Sequence, residues 1–348
     1  MTKTLLVTGG AGFIGSNYCR YVLKEHPDYR VAVLDALTYA GNLSTMADLQ
    51  SDPQNAGRFR FYPGKIQDET VVNGIIEAEK VDCIVNFAAE SHNDRSILDP
   101  GSFIQTDVYG VFVLLDATRR HNVDRLLHVS TDEVYGTIDT GQFTEQSPIE
   151  PNTPYSASKA GGEMQARAHR ITYGTPSLVT RCGNNFGPFQ YPEKLIPFFV
   201  SRLIDDKKVP LYGSGMQVRD WVYVMDHCSG IDFVLHNGEL GEAYNIGTDC
   251  EMPNIEITHR LLSLLGKPES LIKPIGDPRG GAHDKRYSID ASKLRALGWK
   301  PAYPFEEALE RTVKWYVDNQ SWWREITASE DYQAFVKRFY GKYLGEDL

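Results

Sequence analysis

Cysteine is scarce and shows no pattern. The five cysteines, Cys19, Cys83, Cys182, Cys228 and Cys250, are scattered without a Cys-x-x-Cys pair, which argues against both a disulfide framework and a thiolate zinc site. They read as reduced thiols, and no metal is expected. Long apolar runs are missing too. The opening MTKTLLVTGG is too short for a signal h-region, and nothing later approaches the about 18 uninterrupted apolar residues of a membrane span, so the expected compartment is the cytoplasm. Positive charge is in deficit: 36 Lys and Arg stand against 46 Asp and Glu, a formal net charge of −10. Such a chain repels nucleic acid and anionic membranes, so an anionic small ligand has to be held by local basic groups and helix N-termini in a defined pocket. Repeats and low-complexity tracts are absent. What remains is an ordinary globular composition, 41% hydrophobic over 348 residues, enough for a large core and about two domains.

Short Val/Ile/Leu-rich runs alternate with helical-period segments through the first half: LLVTGG, a helix from about Ile14, then VAVLD, FRFY, DCIVNFA and RLLHVST. This alternation predicts repeated βαβ units, hence an α/β, Rossmann-like, doubly wound parallel sheet. After Arg181 the chain fills with Gly and Pro (CGNNFGPFQYPEKLIP) and mixes single strands such as EAYNIG with helices such as ITHRLLSLL. A smaller, interleaved C-terminal substrate domain is expected there. The predicted division is 1–185 plus about 222–250 for the larger, Rossmann-like part, and 186–221 plus about 251–330 for the substrate part. The aromatic stretch WYVDNQSWW reads as a closing amphipathic helix and tail, its rings used for packing.

TGGAGFIG follows the apolar strand LLV and precedes a helical stretch, so Gly9, Gly12 and Gly15 occupy a strand–turn–helix. Glycine there permits the tight turn, close approach of a pyrophosphate to backbone N–H groups, and tight helix–strand packing. The next strand ends at Asp35, twenty residues beyond Gly15, where a carboxylate can accept from a ribose 2′-hydroxyl. An acid at that point disfavours a 2′-phosphate, so NAD is expected over NADP. The spacing G-x-x-G-x-x-G resembles the short-chain dehydrogenase/reductase superfamily.

Tyr155-Ser-Ala-Ser-Lys159 opens a helical stretch, and its (i, i+4) spacing puts phenol and ammonium on one face. The ammonium is expected to lower the phenol pKa toward working pH, so that Tyr155 can take a proton from a sugar hydroxyl. Ser130-Thr131-Asp132-Glu133-Val134-Tyr135-Gly136 follows RLLHV and so belongs at the C-terminal end of a parallel strand, the end that faces the ligand crevice. Two adjacent acids beside a cofactor site are costly to bury without a use.

STDEVYG, LTYAGN (37–42), AAESHNDRS (88–96), YSASK, PEKLIP (192–197) and RDWVYVMDH (219–227), taken in order along one chain, resemble the dTDP-glucose 4,6-dehydratase family of extended short-chain dehydrogenases. The resemblance implies an NAD-dependent lyase that oxidises C4 of a nucleoside-diphosphate glucose, eliminates water across C5 and C6 and returns the hydride to C6. It implies that Tyr155 acts as base on the 4-hydroxyl with Lys159 and Thr131, Glu133 as base at C5, and Asp132 as acid on the departing 6-hydroxyl. Cofactor contacts implied with the glycine loop are Phe13, Ile14, Asp35, Ala36, Leu37, Thr38, Lys65, Ile66, Ala88, Ala89, Ser91, Thr106, Tyr155, Lys159 and Asn185. On the substrate side it implies Ser91, Thr131, Asn184, Lys194, Leu195, Ile196, Pro197, Phe198, Pro210, Leu211, Tyr212, Arg219, Asn254, Arg279, His283 and Tyr287. A pyrophosphate needs cations, and Arg219 and Arg279 offer fork geometry while Lys194 offers a point charge. A homodimer built from two helices per subunit is also implied.

Four features depart from the common pattern of that family: Lys65 where an Asp usually precedes the Ile, Asp107 for an Asn after Thr106, Gly183 for a Ser, and the longer, reordered segment GDPRGGAHDKRY. The rival readings are a UDP-sugar 4,6-dehydratase, a sugar-nucleotide 4-epimerase on the same scaffold, and a non-catalytic NAD-sensing protein. The pair Asp132-Glu133 argues against the epimerase, and retention of both Tyr155 and Lys159 against the sensor.

Overall fold

Twelve strands are present among the described residues, 3–276 and 286–345 of the computed structural model. They are β1 (Thr4–Thr8), β2 (Arg30–Asp35), β3 (Phe59–Pro63), β4 (Cys83–Asn86), β5 (Arg125–Val129), β6 (Ser177–Cys182), β7 (Asn184–Phe186), β8 (Val209–Tyr212), β9 (Val218–Tyr223), β10 (Ala243–Ile246), β11 (Glu251–Pro253) and β12 (Ile272–Ile275). Seven of them form one sheet in the order β10-β6-β5-β4-β1-β2-β3, and every neighbouring pair is parallel. The expected doubly wound sheet is therefore present. Its strands read as unbroken apolar runs because helices cover both faces: Leu5, Val7, Val31, Val33, Val85 and Leu127 pack to one side, and Leu6, Ala32, Leu34, Ile84 and Leu126 to the other. The order of the sheet reverses between β1 and β4, so the crevice outside the carboxyl ends of these strands is where a ligand belongs.

The second half returns to the sheet through β10, preceded by the helix Val224–Asn237. Two small sheets stand apart from it. β7 pairs parallel with β9 and β11 antiparallel with β9, while β8 pairs with β12. The WYVDNQSWW stretch differs from the single closing helix expected. Three helices follow one another, Phe305–Asp318, Gln320–Thr327 and Glu330–Leu344, and the aromatics do pack: Tyr316 and Trp323 are fully buried. The last helix turns back against the chain, with Tyr332 donating to the Pro192 carbonyl at 2.9 Å.

The helix Pro154–Tyr173 is started firmly. Thr153 and Ser156 form a reciprocal capping box and Pro154 occupies the first turn, which satisfies donors a helix end otherwise leaves open. More than two turns further along, Glu163 meets Arg181 of β6 at 2.6 Å with both side chains buried. Arg181 also donates to the Tyr135 hydroxyl at 2.7 Å, and Tyr135 donates to Asn245 of β10 at 2.8 Å. This chain of bonds ties the helix, two strands and the turn after β5 together. Breaking a buried pair strands a charge, at a cost of about 3–5 kcal/mol. Glu163→Ala should lower stability by that amount in urea unfolding followed by circular dichroism; a loss under ~1 kcal/mol, the range of exposed pairs, would mean that Arg181 finds solvent.

Candidate active site

At the C-terminal ends of β1, β2, β4, β5 and β6 lies a cleft of ≈ 400 Å³. Its floor is the glycine loop. Gly9 has φ +68°, and a Cβ there would sit 2.6 Å from the Ala88 nitrogen, while one at Gly15 would sit 2.4 Å from the Gly9 carbonyl. Gly12 starts the helix Phe13–Glu25 without a side-chain cap, so the first-turn N–H groups stay available to an anion. Asp35 accepts from the Ala11 and Leu37 amides, both at 2.8 Å. The carboxylate thus shapes the loop besides facing the cleft, and burial raises its pKa while these two bonds oppose the rise. A loop closed by glycine, an uncapped helix start and an acid at the end of the second strand fit a dinucleotide.

Thr131 caps a one-turn helix, Asp132–Tyr135, accepting from the Glu133 amide. The turn aims the two acids differently. Asp132 is buried, and its Oδ2 has no hydrogen-bond partner among the described residues. Burial pushes its carboxyl well above the usual range, with Glu133 and Asp220 adding to the rise and Arg219 opposing it. Glu133 is partly open to the cleft; its Oε2 accepts from Asn93 Nδ2 at 2.7 Å and from the Tyr287 hydroxyl at 3.4 Å. One carboxyl is buried with its pKa pushed up, and the other lies at the cleft with one oxygen held by two donors.

Tyr155 and Lys159 both line this cleft, one turn apart. Lys159 Nζ donates to the Val129 carbonyl at 2.8 Å. The expected lowering of the phenol pKa is not found. Burial pushes Tyr155 well above its ordinary value, Glu133 and Asp107 add to that, and the hydrogen bond with Thr131 opposes it. The ammonium is engaged by a backbone carbonyl and by buried acids, so in the protein alone burial, with the carboxylates after it, governs the phenol.

Most expected positions meet on the cleft wall: Gly9, Gly12, Phe13, Ile14, Gly15, Asp35, Thr38, Ala89, Ser91, Thr131, Asp132, Glu133, Tyr155, Lys159, Asn184, Asn185, Lys194, Leu195, Ile196, Phe198, Pro210, Leu211, Tyr212, Arg219, Asn254 and Tyr287. Ala36, Leu37, Lys65, Ile66, Ala88, Thr106 and Pro197 are not part of it. Ala36, Leu37 and Lys65 are exposed beyond β2 and β3, Ile66 is buried in the core beneath the loop, and Thr106 accepts from Gln67 at 2.8 Å. Arg279 and His283 lie outside the described residues. Lys194 donates to the Ser91 carbonyl at 2.8 Å and immediately precedes the helix Leu195–Ile204, whose start carries no side-chain cap and faces the cleft. The Arg219 guanidinium lies 4.5 Å from the Tyr287 ring centre.

The sequence reading missed several wall residues. Asn93 holds Glu133, although it lay inside a quoted motif. Tyr340 reaches the wall from the last helix, stacked on Phe198 with ring centres 5.0 Å apart and accepting from the Tyr212 hydroxyl at 2.9 Å. His227 is buried with neither ring nitrogen bonded among the described residues, and burial drives its pKa down to about 3. Gly183, a departure from the family pattern, is explained by packing: a Cβ there would meet the Asp220 carbonyl at 2.8 Å. Among the described residues one His/Asp group has metal-like spacing, His26, Asp232 and His236. His236 is already engaged at both nitrogens, with the Asp232 carbonyl at 2.7 Å and the Tyr29 hydroxyl at 3.0 Å.

A glycine-floored nucleotide cleft carrying a Tyr/Lys couple and two unlike carboxyls defines a short-chain-dehydrogenase-type enzyme with acid–base work to do. The chain belongs to the family described as GDP-mannose 4,6 dehydratase, whose model matches residues 6–312. It is 48% identical over 339 residues to the dTDP-glucose 4,6-dehydratase of Xanthomonas campestris pv. campestris (strain B100), covering 92% of this chain and 94% of that one. Its fold is similar to that of the Streptomyces venezuelae dTDP-glucose 4,6-dehydratase, solved with NAD bound: TM-score 0.88, 49% identity, 93% of this chain and 99% of that one. The Bacillus anthracis str. Ames enzyme in complex with NAD is similar at TM-score 0.86 and 45% identity, over 93% of this chain and 99% of that one.

Asp107, another departure, sits in a π-helical turn, Ile104–Gly110, a distortion that often marks functional sites. It is fully buried, accepting from Ser158 Oγ at 2.7 Å and the Glu90 amide at 3.0 Å. Burial pushes its carboxyl up to about 6, with Lys159 opposing. Lys159 in turn is lowered by burial, with Asp107 and then Glu163 opposing that loss. Above about pH 6 the ionised Asp107 supports the ammonium. Asp107→Asn removes that support and leaves the burial, so Lys159 should lose its proton at lower pH. The alkaline limb of a kcat-against-pH profile should move toward acid; an unmoved limb would show that Asp107 does not act on Lys159.

Proposed function

We propose that this protein is an NAD-dependent dTDP-glucose 4,6-dehydratase, which converts dTDP-glucose to dTDP-4-keto-6-deoxyglucose and water. The observation that carries the reading is the unequal pair: a buried Asp132 with its pKa raised well above the usual range and an unengaged Oδ2, beside a Glu133 bonded at one oxygen. Elimination of water needs one acid and one base on neighbouring carbons, and environments that push two carboxyls apart provide them. A 4-epimerase has no use for such a pair, and an NAD sensor none for a Tyr/Lys couple on the same wall.

NAD, held by the loop of Gly9, Gly12 and Gly15 with Asp35 toward a ribose, supplies the hydride acceptor and donor. Tyr155 takes the proton from the 4-hydroxyl, assisted by Thr131 and by the positive charge of Lys159. The resulting ketone acidifies C5–H, Glu133 removes that proton, and Asp132 protonates the departing 6-hydroxyl. Glu133, now protonated, returns a proton to C5. Arg219 and Lys194, with the N-terminus of the Leu195–Ile204 helix, suit the pyrophosphate, and Tyr340 with Tyr212 suits the base.

Residues 1–185 with about 222–250 serve as the nucleotide-binding part and 186–221 with about 251–330 as the sugar-nucleotide part; the return of β10 to the main sheet supports this division. No helix among the described residues is long and apolar enough to cross a membrane, and five free cysteines suit the reducing cytoplasm. Exposed apolar side chains support a homodimer packed through two helices per subunit: Ile97, Ile104 and Tyr109 on one segment, Met164, Ile171 and Tyr173 on the Pro154–Tyr173 helix. Patches of this kind mark association surfaces. Ile104→Glu combined with Met164→Glu should convert the dimer to monomer in sedimentation velocity; an unchanged sedimentation coefficient would place the contact elsewhere.

Incubation with dTDP-glucose should give the alkaline absorbance of a 4-keto product, and UDP-glucose should give less. In Glu133→Gln, oxidation at C4 should persist, seen as reduced-nicotinamide absorbance, while water loss falls by roughly 10²–10⁴-fold, the usual worth of a positioned base. An unchanged dehydration rate would remove Glu133 from the role.

A further inference from the structure

The Asn93 amide stands between two parts of the site that the chemistry treats as separate. Its Oδ1 accepts from Thr153 Oγ1 at 2.8 Å, and its Nδ2 donates to Glu133 Oε2 at 2.7 Å. Thr153 is the cap of the helix that carries Tyr155 and Lys159; it accepts from the Ser156 amide at 3.1 Å. Thr153 Oγ1 also lies 2.9 Å from Ser156 Oγ, and a hydroxyl can both donate and accept. The carboxylate at the other end sets which way the amide of Asn93 points, since the flipped form would face it with a carbonyl oxygen. The sequence of bonds runs from the helix start through hydroxyl and amide to the carboxylate.

We propose that Asn93 is the positioning residue of the C5 base. It locks the Glu133 carboxylate against the cap of the Tyr155 helix, so that oxidation at C4 and proton removal at C5 occur in one register on the sugar. Both donors to Glu133, Asn93 and Tyr287, bind the same oxygen, Oε2, and no bond is made to Oε1 among the described residues. Oε1 is therefore the atom that takes the C5 proton. The Asn93 N–H keeps Oε2 engaged as an acceptor throughout, because Oε2 still accepts as the carbonyl oxygen once Oε1 carries the proton. The ionisable groups that act on this corner are Asp132 beside Glu133, Tyr155 from the long helix and Tyr287 from the segment after β12, with Lys159 and Arg219 the neighbouring cations. The proposal rests on the dehydratase reading of Glu133.

The test uses full-length holoenzyme carrying Asn93→Leu, which keeps the volume and removes both bonds, and Asn93→Asp, which keeps the Thr153 contact and sets a second carboxyl against Oε2. Single turnovers with dTDP-glucose in deuterium oxide report two events: reduced-nicotinamide absorbance for C4 oxidation, and deuterium at C5 of the product for the Glu133 step. Asn93→Leu should leave C4 oxidation and the KM for dTDP-glucose within about threefold, and slow C5 exchange by about 10- to 100-fold, the range for losing a hydrogen bond to a charged group. Asn93→Asp should slow C5 exchange as well and move its acid limb to higher pH, as expected for adjacent carboxyls. Unchanged C5 exchange, or equal loss of oxidation and exchange, overturns the proposal. Should Asn93→Leu fail to fold by circular dichroism, Asn93→Asp decides by the same two readouts. If the wild-type enzyme neither oxidises at C4 nor exchanges C5, the dehydratase reading itself has failed, and the role of Asn93 falls with it.

Discussion

The proposed chemistry depends on holding two adjacent carboxyls, Asp132 and Glu133, in unlike surroundings. Adjacent acids in water would both ionise. Here the end of a buried strand separates them: the turn capped by Thr131 drives Asp132 inward, where burial, Glu133 and Asp220 all disfavour a second negative charge, while Glu133 faces the cleft and Asn93. The inequality comes from position, since the two side chains differ by a single methylene.

That position has to be held by something stiffer than a surface loop. The strand β5 is buried on both faces, so its end cannot drift, and the turn after it is stitched through Tyr135 to Arg181 and Asn245. The same arginine anchors the helix of Tyr155 and Lys159 through Glu163. One buried ion pair thus braces both the Tyr155/Lys159 helix and the turn that carries the two acids. Buried pairs are poor sources of net stability but strong specifiers of geometry when their remaining donors are satisfied, which is the case for Arg181.

Much of this was legible in the residues because the informative signals are local. Parallel strands covered on both faces read as continuous apolar runs, so β1, β2, β4 and β5 could be found directly, and Gly9, Asp35, Asp132, Glu133, Tyr155 and Lys159 fall at fixed offsets from them. What escaped was set by contacts across the fold. Asn93 is 40 residues from the carboxylate it holds, and Tyr340 comes to the wall from a helix that reads as packing. The direction of the Tyr155 pKa was misread for the same cause: the lysine is visible one turn away in sequence, whereas burial and the acids Glu133 and Asp107 arrive from other elements. Ile66 and Thr106 carry family roles by resemblance, yet their side chains are engaged in the core and with Gln67.

The protonation state of Asp132 is the most direct point of attack. Infrared difference spectroscopy of the holoenzyme at neutral pH should show the carbonyl band of a protonated carboxyl that disappears in Asp132→Asn and persists in Glu133→Gln. A spectrum without that band, or a band that vanishes with Glu133→Gln and survives Asp132→Asn, would contradict the division of labour between the two acids.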